Sequence, residues 1–220
     1  MPLINLVIWF LIIIVLSFIL DLFLKRVFSG GRYLLVIAPG VIIHELSHAF
    51  ACLFMFAKVK EIKFFDKKGG FVKHEKSRFP IIGQVIISLA PLFVGISLIF
   101  ILARLLSIDP NFHLDLSWSR TNLNLIIEAI SKIDYFNFRN LLIIYLLFSI
   151  SVTMTPSFID LVNSFLGLLL VGGLLWLIDY YFVINLPETF LSIALSLVVL
   201  TLIIGIIFSM ILCVLKSIFL

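Results

Sequence analysis

His44-Glu45-Leu46-Ser47-His48 sits inside a run of apolar residues long enough to cross a bilayer. On a helix, positions four apart share a face, so both imidazoles can converge on one metal ion. Glu45 follows directly, near enough to handle the proton of a metal-bound water. Two imidazoles and a carboxylate are expensive in hydrocarbon unless they coordinate something or line a wet cavity. With four His and five Glu in the chain, H-E-x-x-H arises by chance on the order of 0.001 times per chain. The bland alternative is a histidine pair that only hydrogen-bonds neighbouring helices. The glutamate in register and the apolar flanks on both sides argue against it. The expected chemistry is that of a zinc hydrolase site within the membrane: one Zn2+ per chain, His44 and His48 as metal ligands, and Glu45 as the catalytic base.

A catalytic zinc takes three protein ligands and leaves one position for water. Asp160 is the best candidate for the third, because it follows the Thr155-Pro156-Ser157 break inside otherwise apolar sequence. An ionised carboxylate has little reason to be there unless it meets a cation. The competing reading is that Asp160 caps the helix beginning after the break. The ligand reading is preferred because nothing else at membrane depth completes the site. Asp21 and Asp179 lie at the ends of apolar spans, where an interfacial position is explanation enough. His74 reads as a solvated strand residue, and His113 and Glu128 as solvated loop and helix-surface groups.

These residues need a scaffold, and composition says which kind. The chain is 63% hydrophobic and 13% charged over 220 residues, with a mean hydropathy of +1.28. A soluble domain of this size has no use for so much apolar surface, so the expectation is an all-α polytopic membrane protein. The formal net charge of +4 is no nucleic-acid signal, since the basic residues cluster in loops beside apolar spans. Cys52 and Cys213 both fall in apolar segments and read as small buried hydrophobes.

About six transmembrane helices are expected. The first, Leu3 to Leu24, lacks a basic leader and a small-residue cleavage site and reads as a retained helix. The motif helix covers about 33–57, and a third span runs from about Pro80 to Leu106. The apolar stretch at about 141–178 is too long for one helix and is split into a pair at Pro156. The last span runs from about Thr189 to Leu215. Between the second and third spans, alternation from Val59, turn residues at Asp66-Lys67-Lys68-Gly69-Gly70 and a return at Phe71–Glu75 predict a small membrane-face β-hairpin over about 59–76. An amphipathic interfacial helix is expected at about 120–134. With no repeat or linker, residues 1–220 read as a single integral domain. The hairpin segment carries Lys58, Lys60, Lys63, Lys67, Lys68, Lys73, Lys76 and Arg78, more than the opposite-side loops. The positive-inside rule therefore places the hairpin and both termini in the cytoplasm, and so compact a chain suits a prokaryotic cell membrane.

Val41-Ile-Ile-His-Glu-Leu-Ser-His-Ala-Phe50 resembles the motif helix of the site-2 proteases, the intramembrane zinc metalloproteases. A β-hairpin after that helix is similar to the family's arrangement. Ser88-Leu-Ala-Pro-Leu92 resembles an A-G-P-L-like segment of the next core helix, without the glycine. Thr155-Pro-Ser-Phe-Ile-Asp160 stands where the family carries N-x-x-P-x-x-x-L-D-G with its aspartate ligand. Here Leu161 replaces the glycine, Val152-Thr153-Met154 precedes the proline in place of the asparagine, and the spacing is one residue shorter. The resemblance covers roughly Tyr33 to Leu170 and is that of a divergent member.

The resemblance implies an intramembrane zinc metalloprotease that hydrolyses peptide bonds of transmembrane-helix substrates, with Glu45 accepting the proton of the attacking water and passing it to the leaving amine. The implied partners are a membrane-protein substrate helix and the lipid bilayer, with no nucleic acid. A substrate helix hides its backbone in internal hydrogen bonds and must unwind locally before it is cut. The hairpin could pair with the unwound segment by strand addition, or simply anchor at headgroups through its lysines. The alternative function is a catalytically inactive metal-binding membrane scaffold that binds single-pass helices. A zinc transporter would show more polar intramembrane residues. A CAAX-type protease would need a glutamate ligand, for which only Glu128 is at hand, in the wrong kind of segment.

Overall fold

A computed structural model describes residues 3–28, 33–66, 70–106, 124, 127–128, 131–155, 157–182 and 188–219. The protein is mostly helical. Its elements are α1 (Leu3–Val27), α2 (Tyr33–Val36), α3 (Ala38–Phe54), β1 (Val59–Lys63), β2 (Phe71–His74), α4 (Pro80–Leu105), α5 (Phe138–Thr153), α6 (Phe158–Phe182) and α7 (Glu188–Phe219). Among the described residues, Val7–Val27, Ile81–Leu105 and Leu195–Val214 are long and apolar enough to cross a membrane, and α3 and α5 are shorter apolar helices. Large apolar side chains such as Phe18, Phe54, Phe93 and Phe165 stand well exposed, as lipid-facing surface requires. The segment expected as an interfacial helix at about 120–134 lies largely outside the described residues. Within it Asn124, Ile127, Glu128 and Ser131 are helical.

The motif helix differs from the single span expected over about 33–57. Helical hydrogen bonding lapses at Ile37, and α3 restarts with Pro39 in its first turn. Proline cannot donate to the preceding turn but is pre-set for a helix start. Ser149 of α5 repairs the break, donating to the Ile37 carbonyl at 3.0 Å and accepting from the Gly40 N–H at 2.8 Å. At its other end α3 closes at Phe54. Ala57 N–H bonds the Cys52 carbonyl and Phe56 N–H that of Leu53, with Phe56 at a φ of 54°. This is a Schellman closure with phenylalanine where glycine is usual, and it turns the chain into β1.

The two strands form an antiparallel hairpin pairing Val59 with His74, Glu61 with Lys73, Ile62 with Val72 and Lys63 with Phe71. An irregularity falls between Val59 and Glu61, where Lys60 is the extra residue of a bulge. Lys63 and Lys73 both reach Glu61 at 3.0 Å, and their hydrogen bonds hold its carboxyl below the usual range.

Helix α4 is the centre of the bundle, packing on α3, α5, α6 and α7, while α1 lies along α7. The main core gathers Trp9, Ile13, Leu20, Ile99, Leu147, Val198 and Leu202. A smaller cluster of Ala51, Cys52, Ala57, Ile87 and Ala90 joins α3 to α4 beneath the hairpin. Lipid tails are as apolar as these side chains, so close packing and interhelical hydrogen bonds must hold the helices together. Small residues at the α3 contacts serve that need. Gly40 is the tightest case: a Cβ there would collide with the Ser149 backbone carbonyl and the Thr153 hydroxyl. One turn further along both helices, His44 meets Thr153. The Gly40 contact therefore sets the distance at which His44 works.

Replacing Gly40 by valine should force α3 from α5 and destabilise the bundle by about 1–3 kcal/mol through overpacking. A lowered thermal midpoint in detergent, accompanied by weaker zinc binding, is the expected result; unchanged values would show that the contact does not set the helix spacing.

Candidate metal centre

His44 and His48 lie one turn apart on α3, and their rings meet edge to face with centroids 4.7 Å apart. Each Nδ1 is held by a backbone carbonyl from a different helix. His44 Nδ1 is 2.5 Å from the Thr153 oxygen at the end of α5, and His48 Nδ1 is 2.7 Å from the Ile87 oxygen of α4. A carbonyl can only accept, so both Nδ1 atoms carry the proton and both Nε2 atoms present a lone pair. Those two lone pairs face each other across 3.1 Å. Two acceptors cannot satisfy one another, so the neutral pair takes either a shared proton or a metal cation between them.

Asp160 provides the third donor. Its Oδ2 stands 3.5 Å from His48 Nε2 and 4.0 Å from His44 Nε2. The ligand atoms of His44, His48 and Asp160 all lie within 4.8 Å of one another and could hold a metal ion. A tetrahedral zinc with bonds of about 2.0–2.1 Å to nitrogen holds its ligand atoms roughly 3.3 Å apart. The two shorter separations bracket that value, and a small rotation of the carboxylate shortens the third. Two neutral imidazoles and one carboxylate are a donor set that suits zinc.

Ligand and cap are not exclusive readings of Asp160, because the carboxylate that caps the helix also stands within reach of both imidazoles. Ser157 Oγ accepts from the Asp160 N–H at 3.2 Å. Asp160 Oδ2 in return accepts from Ser157 N–H at 2.9 Å and Oγ at 2.6 Å. This reciprocal capping box starts α6 and aims the same carboxylate at the histidines. The Ser157-x-x-Asp160 spacing was the readable signal for it. Pro156 lies outside the described residues.

Glu45 is 5% exposed and borders two cavities. One, of about 170 Å3, also touches His44, His48, Asp160 and strand β2. The other, of about 620 Å3, opens between Glu45 and α1, bordered by Ile14, Ser17 and Phe18. Gly70, at the foot of β2, backs onto the Glu45 side chain. A Cβ at Gly70 would lie 2.5 Å from Oε1 and 2.6 Å from Cγ. Gly70 read in the sequence only as a turn residue; its contact with Glu45 joins residues 25 positions apart and leaves no local signature.

The other candidates fall elsewhere. His74 borders the smaller cavity but turns its Nδ1 to the neighbouring Glu75 carbonyl at 2.8 Å, outside the metal cluster. Glu128 is exposed and pairs with Lys132. Asp21 pairs with Lys25 at 2.5 Å on the border of the wider cavity. His113 lies outside the described residues. Cys52 is buried as a small hydrophobe, and neither it nor Cys213 is in a disulfide.

Residues 33–189 match a family model described as Peptidase M50B-like. No curated protein and no solved structure gives a match.

Zinc titrated into the metal-free protein should bind at one site per chain. Asp160→Ala should abolish stoichiometric binding, and Ser157→Ala, which removes only the hydroxyl orienting the carboxylate, should weaken it about 10–100-fold. Full occupancy in the Asp160 variant would remove that residue from the ligand set.

Proposed function

The chain belongs to the Peptidase M50B-like family, a site-2 protease family, and from that membership we propose that it is an intramembrane zinc metalloprotease that hydrolyses peptide bonds of transmembrane-helix substrates. The observation that carries the proposal is the convergence of two imidazole lone pairs and one carboxylate beside a buried glutamate, Glu45, on the same cavity. His44, His48 and Asp160 hold the metal in this reading. When bound, zinc acidifies a water and polarises a substrate carbonyl.

The protein's own groups do the rest. Thr153 and Ile87 carbonyls fix both imidazoles, so neither ring can turn its Nδ1 to the site. Glu45 takes a proton at a carboxylate oxygen and returns it to the leaving nitrogen. Gly70 lets the hairpin close over that carboxylate and keep bulk water from its flank. Strand β2 runs beside the same cavity, and we assign it the strand-addition role for an unwound substrate segment. Helices α1, α3, α4, α5, α6 and α7 are the six spans of one integral domain in this proposal. We assign the hairpin to the cytoplasm on its basic residues, and with it, through six spans, both termini, in a prokaryotic cell membrane.

Purified protein in detergent, incubated with a set of single-pass helices, should cleave at least one of them. Glu45→Gln should retain zinc and lose cleavage. Zinc binding with no cleavage by the wild type would instead support an inactive scaffold that binds single-pass helices. Gly70→Ala should leave zinc affinity unchanged and lower kcat/KM about 100-fold by displacing the Glu45 carboxylate; equal rates would show that the hairpin contact is not needed for the chemistry.

A further inference from the structure

Helix α4 runs from Pro80 to Leu105 with Pro91 in its interior. Proline has no N–H, so the carbonyl four residues earlier loses its helical donor, and the ring presses that carbonyl away from the helix axis. The residue four before Pro91 is Ile87. Ile87 is 2% exposed and Pro91 is fully buried, so the freed oxygen is shielded from bulk solvent, although Ile87 also borders the smaller cavity. A buried carbonyl left without a partner is destabilising by about 1–3 kcal/mol. The partner it finds is His48 Nδ1, at 2.7 Å.

The other imidazole is served in a parallel way. Thr153 is the last residue of α5, so its carbonyl is one of the orphans of a helix end. The N–H four residues on, at Ser157, is turned to Asp160 Oδ2 instead. The Thr153 oxygen thus goes to His44 Nδ1. Both rings are therefore held by carbonyls that their own helices cannot use. One comes from a helix terminus, the other from a proline within a continuous helix.

We propose that Pro91 is a positioning residue for His48: by withholding the amide that would claim the Ile87 carbonyl, it reserves that oxygen for Nδ1–H and leaves the Nε2 lone pair facing His44 and Asp160. The inference rests on the metal-centre reading of these three residues. A proline that only bent α4 would have no reason to free the one carbonyl that His48 uses. With an ordinary residue at 91, the restored N–H draws the Ile87 oxygen back into the helical ladder. His48 then shares its acceptor, and its ring gains the freedom to adopt the other tautomer.

The test uses the full chain in detergent with two replacements at position 91. Alanine restores the amide; lactic acid, introduced as a backbone ester, lacks both the amide and the ring. Zinc alone is the probe for affinity, and ring-nitrogen NMR of isotope-labelled histidines in the metal-free protein reads the tautomer. Pro91→Ala should weaken zinc binding about 10–100-fold and convert His48 from a pure Nδ1–H signature to a mixture. The lactate variant should bind zinc as the wild type does. Equal affinity and an unchanged tautomer in the alanine variant would overturn the proposal, as would a lactate variant as weak as the alanine one. Should Pro91→Ala fail to fold, the wild type alone decides, because an Nε2–H signature at His48 contradicts the assignment. A protein that shows these signatures but cleaves no helix would sink the protease proposal and leave this one standing.

Discussion

Hydrocarbon offers no hydrogen bonds, so each polar atom brought into this bundle must be satisfied by the protein itself or by what the protein binds. The site is built on that constraint. Its two imidazoles each spend their Nδ1–H on a backbone carbonyl, from α5 and from α4, and the remaining lone pairs face each other across 3.1 Å. The carboxylate of Asp160 adds a third acceptor to the same small volume. In water such a cluster would be hydrated and unremarked. Within apolar helices it is an open demand for a cation.

Meeting that demand takes four helices at defined positions, and small residues set two of the contacts. Gly40 brings α3 against α5 at Ser149 and Thr153, which delivers the carbonyl for His44. Ala51, Cys52 and Ala90 bring α3 against α4 around Ile87, which delivers the carbonyl for His48. The capping box at the start of α6 completes the geometry, since Ser157 both begins the helix and fixes the carboxylate. Packing and the geometry of the candidate metal centre are thus one arrangement, and loosening a helix contact misplaces a carbonyl that orients a ring.

The hairpin belongs to the site as well. Its strands hold each other through Glu61, Lys63 and Lys73, while its inner end places Gly70 on Glu45. A side chain of any size there would displace the carboxylate. The fold therefore leaves Glu45 touching a backbone on one side and two cavities on the other.

Much of this was legible in the residues. The H-E-x-x-H spacing fits a helix whatever surrounds it, because four residues make nearly one turn, and alternation with turn chemistry outlined the hairpin. Asp160 stood out because a lone carboxylate in apolar sequence needs a reason. Local pattern ran out in three places. The break at Ile37 depends on Ser149, more than a hundred residues away. Sequence sets cap against ligand at Asp160, since a cap is a local bond and a ligand a distant one, and sequence shows no distances. Gly70 looked like any turn glycine. The sequence by itself determined which groups could bind a metal and that they lie among apolar helices, since both follow from residue type and period. Only the tertiary structure decided which way the imidazoles face, because their tautomers are set by carbonyls of helices that meet α3 only in the folded bundle.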